Sequence, residues 1–111
     1  GDEALALAVV EPSWTDFHVS YRVGTRHALN QGAAGKAVLL GRASAEQPPR
    51  YVVTTGELRT GARGLAAPVL SVEGLEASVG IVTLGELDEP KVAARVVAAS
   101  DEVASLLAAA G

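Results

Sequence analysis

Between Ala62 and Gly85 the chain reads ARGLAAPVLSVEGLEASVGIVTLG, two apolar runs on either side of Val72-Glu73-Gly74. The centre predicts a chain reversal, because Gly74 takes φ > 0 without a Cβ clash. Before it, Leu65, Ala67 and Val69 alternate with Ala66, Pro68 and Leu70; after it, Leu75, Ala77, Val79 and Ile81 alternate with Glu76, Ser78 and Gly80. Period-2 alternation with one polar or small face predicts half-buried antiparallel strands, and so a long hairpin in the middle of a sheet. Pro68 has no N–H to give a ladder, which predicts a bulge there or a side without a partner.

The flanking segments extend this scaffold. Leu5, Leu7 and Val9 alternate with Ala6 and Ala8, and Glu11-Pro12-Ser13 ends the run. In Trp14–Val23, Phe17, Val19, Tyr21 and Val23 fall on one face and His18, Ser20 and Arg22 on the other, so the two runs read as a first hairpin. Gln31–Arg42 changes to helical spacing, with Ala33, Ala37 and Leu40 in phase and Asn30 as the expected N-cap. Gly32 and Gly35 in its first turns weaken the helix, so their expected use is steric: room for another backbone or a ligand. Ala43–Pro49 is a polar link, Tyr51–Thr55 a β-branched strand, and Gly56–Gly61 a connection into the central hairpin. Asp88 is placed to cap a final helix with Pro90 in its first turn. In that helix Val92, Val96, Ala99, Val103, Leu106 and Ala110 form a narrow apolar seam at spacings of four and three. The seam suits packing on the sheet or against a helix of a second copy. The order β-β-α-β-β-β-α predicts an α+β domain, an antiparallel sheet of about five strands with helices against it.

Composition narrows the chemistry. The 111 residues fit one domain, and 49% hydrophobic content is enough to bury a core. No apolar run approaches the ~20 residues that span a bilayer, and no signal-peptide pattern opens the chain. Absence of Cys removes disulfides, thiolate nucleophiles and thiolate metal sites, and suits a cytoplasmic protein. With no Met, even at position 1, the chain reads as processed or as a piece of something longer. Net charge is −4, which argues against direct nucleic-acid binding. Yet Arg22–Arg63 carries seven Lys/Arg against two acids, a local +5 that suits a small anion or a set of solvated loop arginines. His18 and His27 lack zinc spacing, no GxSxG elbow occurs, and GAAGK at Gly32–Lys36 lacks the spacer and Ser/Thr of a phosphate loop. The residues favour binding over catalysis, with no metal and no cofactor.

Three segments in order resemble the C-terminal effector-binding domain of IclR-type bacterial transcription regulators, a GAF-like fold. These are GTRHALNQGAAGKAVLL (Gly24–Leu40), YVVTTGELRTGARGLAAP (Tyr51–Pro68), and the Glu73-Gly74 hairpin with its strand to Gly85 and the long final helix. The resemblance covers nearly the whole chain. It implies a GAF-like sheet of five to six strands flanked by helices, with residues 1–111 forming one regulatory domain of a cytoplasmic, non-enzymatic regulator. It also implies a winged helix-turn-helix domain, outside this sequence, as the sole contact with DNA. Further, it implies a small organic or aromatic acid as effector, no membrane partner, and a homo-oligomer, dimer or tetramer. By position, the implied ligand site comprises Ala33 and Ala34 at the helix start, Thr54, Gly64 and Leu65 on the following strands, and Val82 and Leu84 on the last strand. Helix N–H groups there would attract a carboxylate. The chain is short of its relatives between the GKA helix and the Tyr51 strand, where only Ala43–Arg50 remain. Two functions follow as alternatives: a ligand-responsive regulatory domain, and a ligand-free module that dimerises the regulator.

Overall fold

The computed structural model describes residues 3–10, 23–43, 50–57 and 60–110. The central hairpin forms as its pattern predicts. β4 (Ala62–Val69) pairs antiparallel with β5 (Ala77–Leu84) in unbroken register from Ala62↔Leu84 to Val69↔Ala77. Gly74, at φ +76, lies in the turn. β3 (Val52–Thr55) pairs with the other side of β4 from Val52↔Ala66 to Thr55↔Arg63, so the sheet order is β3-β4-β5. Pro68 lies beyond the last β3 pairing, on a side where β4 has no partner, as a residue without an N–H requires.

The sheet is smaller than the five to six strands expected. Among the described residues it has three strands, and a separate two-stranded sheet joins β1 (Glu3–Leu5) to β2 (Arg26–Ala28). The Leu5–Val10 strand is likewise corrected: pairing stops near Ala6, whose N–H reaches Thr25 O, and Leu7 and Val10 are exposed. The first hairpin's second strand falls on residues 14–23, outside the described residues except Val23, which is in a turn; most of the Ala43–Pro49 link lies outside them too.

α1 (Ala33–Arg42) and α2 (Glu89–Ala110) cover opposite faces of β4. The even-numbered positions Gly64, Ala66 and Pro68 meet α1, where Ala33, Ala37 and Ala66 form a buried cluster. Leu65 and Ala67 face α2 and bury Ala93 and Val96. β4 is therefore buried on both faces, where a half-buried strand was expected, because small side chains let a helix close on each side. Gly35 shows the same economy. A Cβ there would lie 2.5 Å from Leu29 O, so the missing side chain admits another backbone, as its place in the sequence predicts.

α2 begins as expected: Lys91 N–H donates to Asp88 Oδ1 at 3.3 Å, and Pro90 needs no partner in the first turn. Its seam packs on the sheet through Val96, with Ala93 and Ser100 beside it, whereas Leu106 is exposed.

Candidate functional site

Ala33, Ala34, Thr54 and Gly64 of the implied ligand set lie at the start of α1. Its N-cap is Gly32, at φ 84°, and not Asn30; no side chain within the helix start caps it. A left-handed residue suits glycine and denies Asn30 the geometry to reach the first N–H groups. The cap comes from a distant residue. Glu57, in the β3–β4 connection, accepts the Gly32 N–H at 3.0 Å through Oε1 and the Lys36 ammonium at 2.6 Å through Oε2. The Lys36 contact, and then the Gly32 N–H, hold the Glu57 carboxyl below its ordinary value. On the other side, Ser78 Oγ of β5 donates to Ala34 O at 2.9 Å. The helix start is thus tied to both neighbours of β4.

Of the seven positions, Thr54, Gly64 and Val82 form one row across the three strands, through the pairs Thr54↔Gly64 and Gly64↔Val82. Antiparallel partners share a face, so this row lies on the α1 side, with Leu84 one pair along, opposite Ala62. Ala33 is buried against Gly64, and Ala34 reaches β5 through its carbonyl. Leu65 points the other way, into the α2 core, with no exposed surface. The row is tightly closed at its centre. A Cβ on Gly64 would lie 3.0 Å from Ala33 Cβ and 3.1 Å from Thr54 Oγ1.

Two concavities lie elsewhere. One, of about 120 Å³, sits between the end of α1 and the β4–β5 turn, beside Arg42 and Glu76. The other, of about 370 Å³ and apolar, runs between β5 and α2.

Three of the five described cations in the basic middle of the chain form ion pairs. Lys36 meets Glu57, Arg42 meets Glu76 in a two-pronged contact, and Arg50 meets Asp101. Two of these three partners come from the acidic flanks, so charges segregated in sequence are joined in space. Glu57 is the site residue that sequence reasoning passed over. Its signal was an acid two residues past a strand, opposite a glycine-rich helix start with no acid of its own. Among the described residues no cluster of His, Asp and Glu is placed to hold a metal, and no helix is long and apolar enough to cross a membrane.

No family model matches the chain, and no curated protein matches it in sequence. Solved structures do match. The C-terminal domain of a transcriptional regulator from Vibrio cholerae superposes with a TM-score of 0.73 at 22% identity, over 90% of this chain and 78% of that one. An IclR transcriptional regulator from Alicyclobacillus acidocaldarius gives 0.74 at 17% identity, over 96% of this chain and 56% of that one. An IclR-family regulator from Rhodococcus gives 0.70 at 21%, over 96% and 53%. This chain spans little more than half the length of the latter two. Elements, order and helix placement agree with the three segments read from the sequence, and the chain has the fold of the C-terminal domain of an IclR-type transcriptional regulator.

Proposed function

We propose that this chain is the regulatory domain of a DNA-binding transcriptional regulator of IclR type. It associates with further copies of itself and responds to a small carboxylic acid at the start of α1. Catalysis and bound cofactors have no part in this reading, and DNA is contacted through a separate winged helix-turn-helix domain. The observation that carries it is Glu57: a carboxylate held by the Gly32 N–H and the Lys36 ammonium occupies the position where the acid effector would bind. Backbone N–H groups at a helix start and a lysine are the chemistry that binds a carboxylate. The effector displaces Glu57, frees the β3–β4 connection and shifts the population between two subunit arrangements.

The close contact of Gly64 with Ala33 and Thr54 favours a second reading, a ligand-free dimerisation module with Glu57 as a permanent cap. A thermal-shift screen against small aliphatic and aromatic acids separates the two. Ligand at 100 times its Kd stabilises the fold by roughly 2.7 kcal/mol, a shift on the order of several degrees for a domain of this size. A hit that tightens in Glu57→Gln and vanishes in Ala34→Leu supports displacement. No shift across the panel, in folded wild type and folded Glu57→Gln, supports the ligand-free module.

A further inference from the structure

α2 lies over β4 and leaves β5, an edge of the sheet among the described residues, partly bare. Val79 and Ile81 of β5, with Val92, Val96 and Ala99 of α2, line the apolar groove of about 370 Å³. Ile81 remains 36% exposed there. Arg95 stands at the rim of the groove. Seven residues further, about two helical turns, Glu102 falls on the same side of α2. Both are exposed, and neither has an ion-pair or hydrogen-bond partner among the described residues. Ala98 and Ala99 lie between them, small enough for a second helix to approach closely. Leu106, 64% exposed, continues the same side.

The geometry points to α2 of a second copy of this chain as the occupant, lying antiparallel along the groove about a two-fold axis between Ala98 and Ala99. That axis is equidistant in sequence from Arg95 and Glu102, so Arg95 of each copy faces Glu102 of the other, and two ion pairs form. The interface is isologous, as a two-fold requires. The axis also falls one residue from the midpoint of the helix, residues 89–110, so nearly the whole of α2 overlaps its copy. Charge favours a second copy as partner: in this register the face is complementary to itself, whereas a neutral apolar helix would leave both charges unmatched. The assignment rests on the reading that the domain associates with itself, and is independent of whether it binds an acid.

Sedimentation equilibrium of the full chain tests it. Wild type is expected to dimerise. R95E and E102R each place like charges at both ends of the seam and weaken dimerisation on the order of tenfold or more. An equimolar mixture of the two single variants is expected to form a heterodimer, because both opposite-charge contacts return, and R95E/E102R dimerises like wild type. Should a reversal unfold the chain, Arg95→Gln and Glu102→Gln, which remove attraction without adding repulsion, carry the same comparison with a smaller loss. A dimer indifferent to these changes assigns self-association to another surface and overturns the seam alone. A monomer at the highest soluble concentration overturns the seam and self-association together, and leaves the groove to a different partner.

Discussion

Glu57 Oε1 accepts the Gly32 N–H at 3.0 Å, so a residue 25 positions downstream closes a helix start that has no cap of its own. A glycine at the N-cap brings no side-chain acceptor of its own; a carboxylate at the positive end of the helix supplies one. The same carboxylate binds Lys36, one turn into α1, so it fixes both the position of the β3–β4 connection and the rotation of the helix.

Folding stability is expected to depend on pH through this contact. The Glu57 carboxyl lies lower in the folded chain than in the unfolded one, because Lys36 and then the Gly32 N–H favour its charged form. Its contribution is therefore complete above the unfolded value and is lost as pH falls through the folded value. Thermal melts of wild type and Glu57→Gln should converge in acid and separate toward neutral pH. Parallel curves across that range would show that the contact does not form in solution.

Gly35→Ala is expected to destabilise far more than a usual glycine replacement in a helix. The added Cβ meets the carbonyl oxygen, Cα and carbonyl carbon of Leu29 at 2.5–2.9 Å, and backbone atoms cannot rotate away. A loss of roughly 1–3 kcal/mol in urea unfolding is expected, where an open helical site would gain stability from alanine.

Leu65→Ala tests whether this residue serves the core or a ligand. It has no exposed surface and sits among Ala67, Ala93 and Val96. A loss of about 2–5 kcal/mol is expected, with any acid binding at α1 unchanged once the folded fraction is accounted for. A variant of normal stability that loses binding would return Leu65 to the ligand site.

Ser71→Gly is expected to stabilise. Ser71 holds φ at 62° in the β4–β5 turn, the left-handed region that costs a residue with a Cβ roughly 1 kcal/mol. Glycine removes the strain but adds freedom to the unfolded chain, so the net gain is expected to stay below about 1 kcal/mol. A lower denaturation midpoint in urea would contradict this.

Local periodicity carried most of the fold. The β4–β5 hairpin, the GKA helix and α2 with its Asp88 cap all follow from spacing and capping within short windows. The size of the sheet did not, because Leu5, Leu7 and Val9 alternate as strands do, and only tertiary contact decides whether a ladder continues. Burial of β4 on both faces was hidden for a related reason: Ala and Gly record how close a neighbour comes, not whether one is there. At the candidate site, the family likeness brought Thr54, Gly64 and Val82 to one row. Leu65 falls on the other face, in the α2 core, because adjacent strand residues face opposite ways, and a list ordered by sequence does not carry that. Glu57 was missed because a cap supplied from 25 residues away leaves no pattern near the helix.

Gly64 touches α1 while its neighbour Leu65 is sealed against α2. Between the two helices the wall is one sheet layer thick, and from Gly64 to Ala67 it is built of Gly, Leu and Ala, with little side-chain freedom to take up a displacement. Interiors at this density are stiff, and a shift of one packed element must be passed on or resisted. Movement at the start of α1 therefore reaches α2 through a single layer, which makes β4 a diaphragm between the two helices.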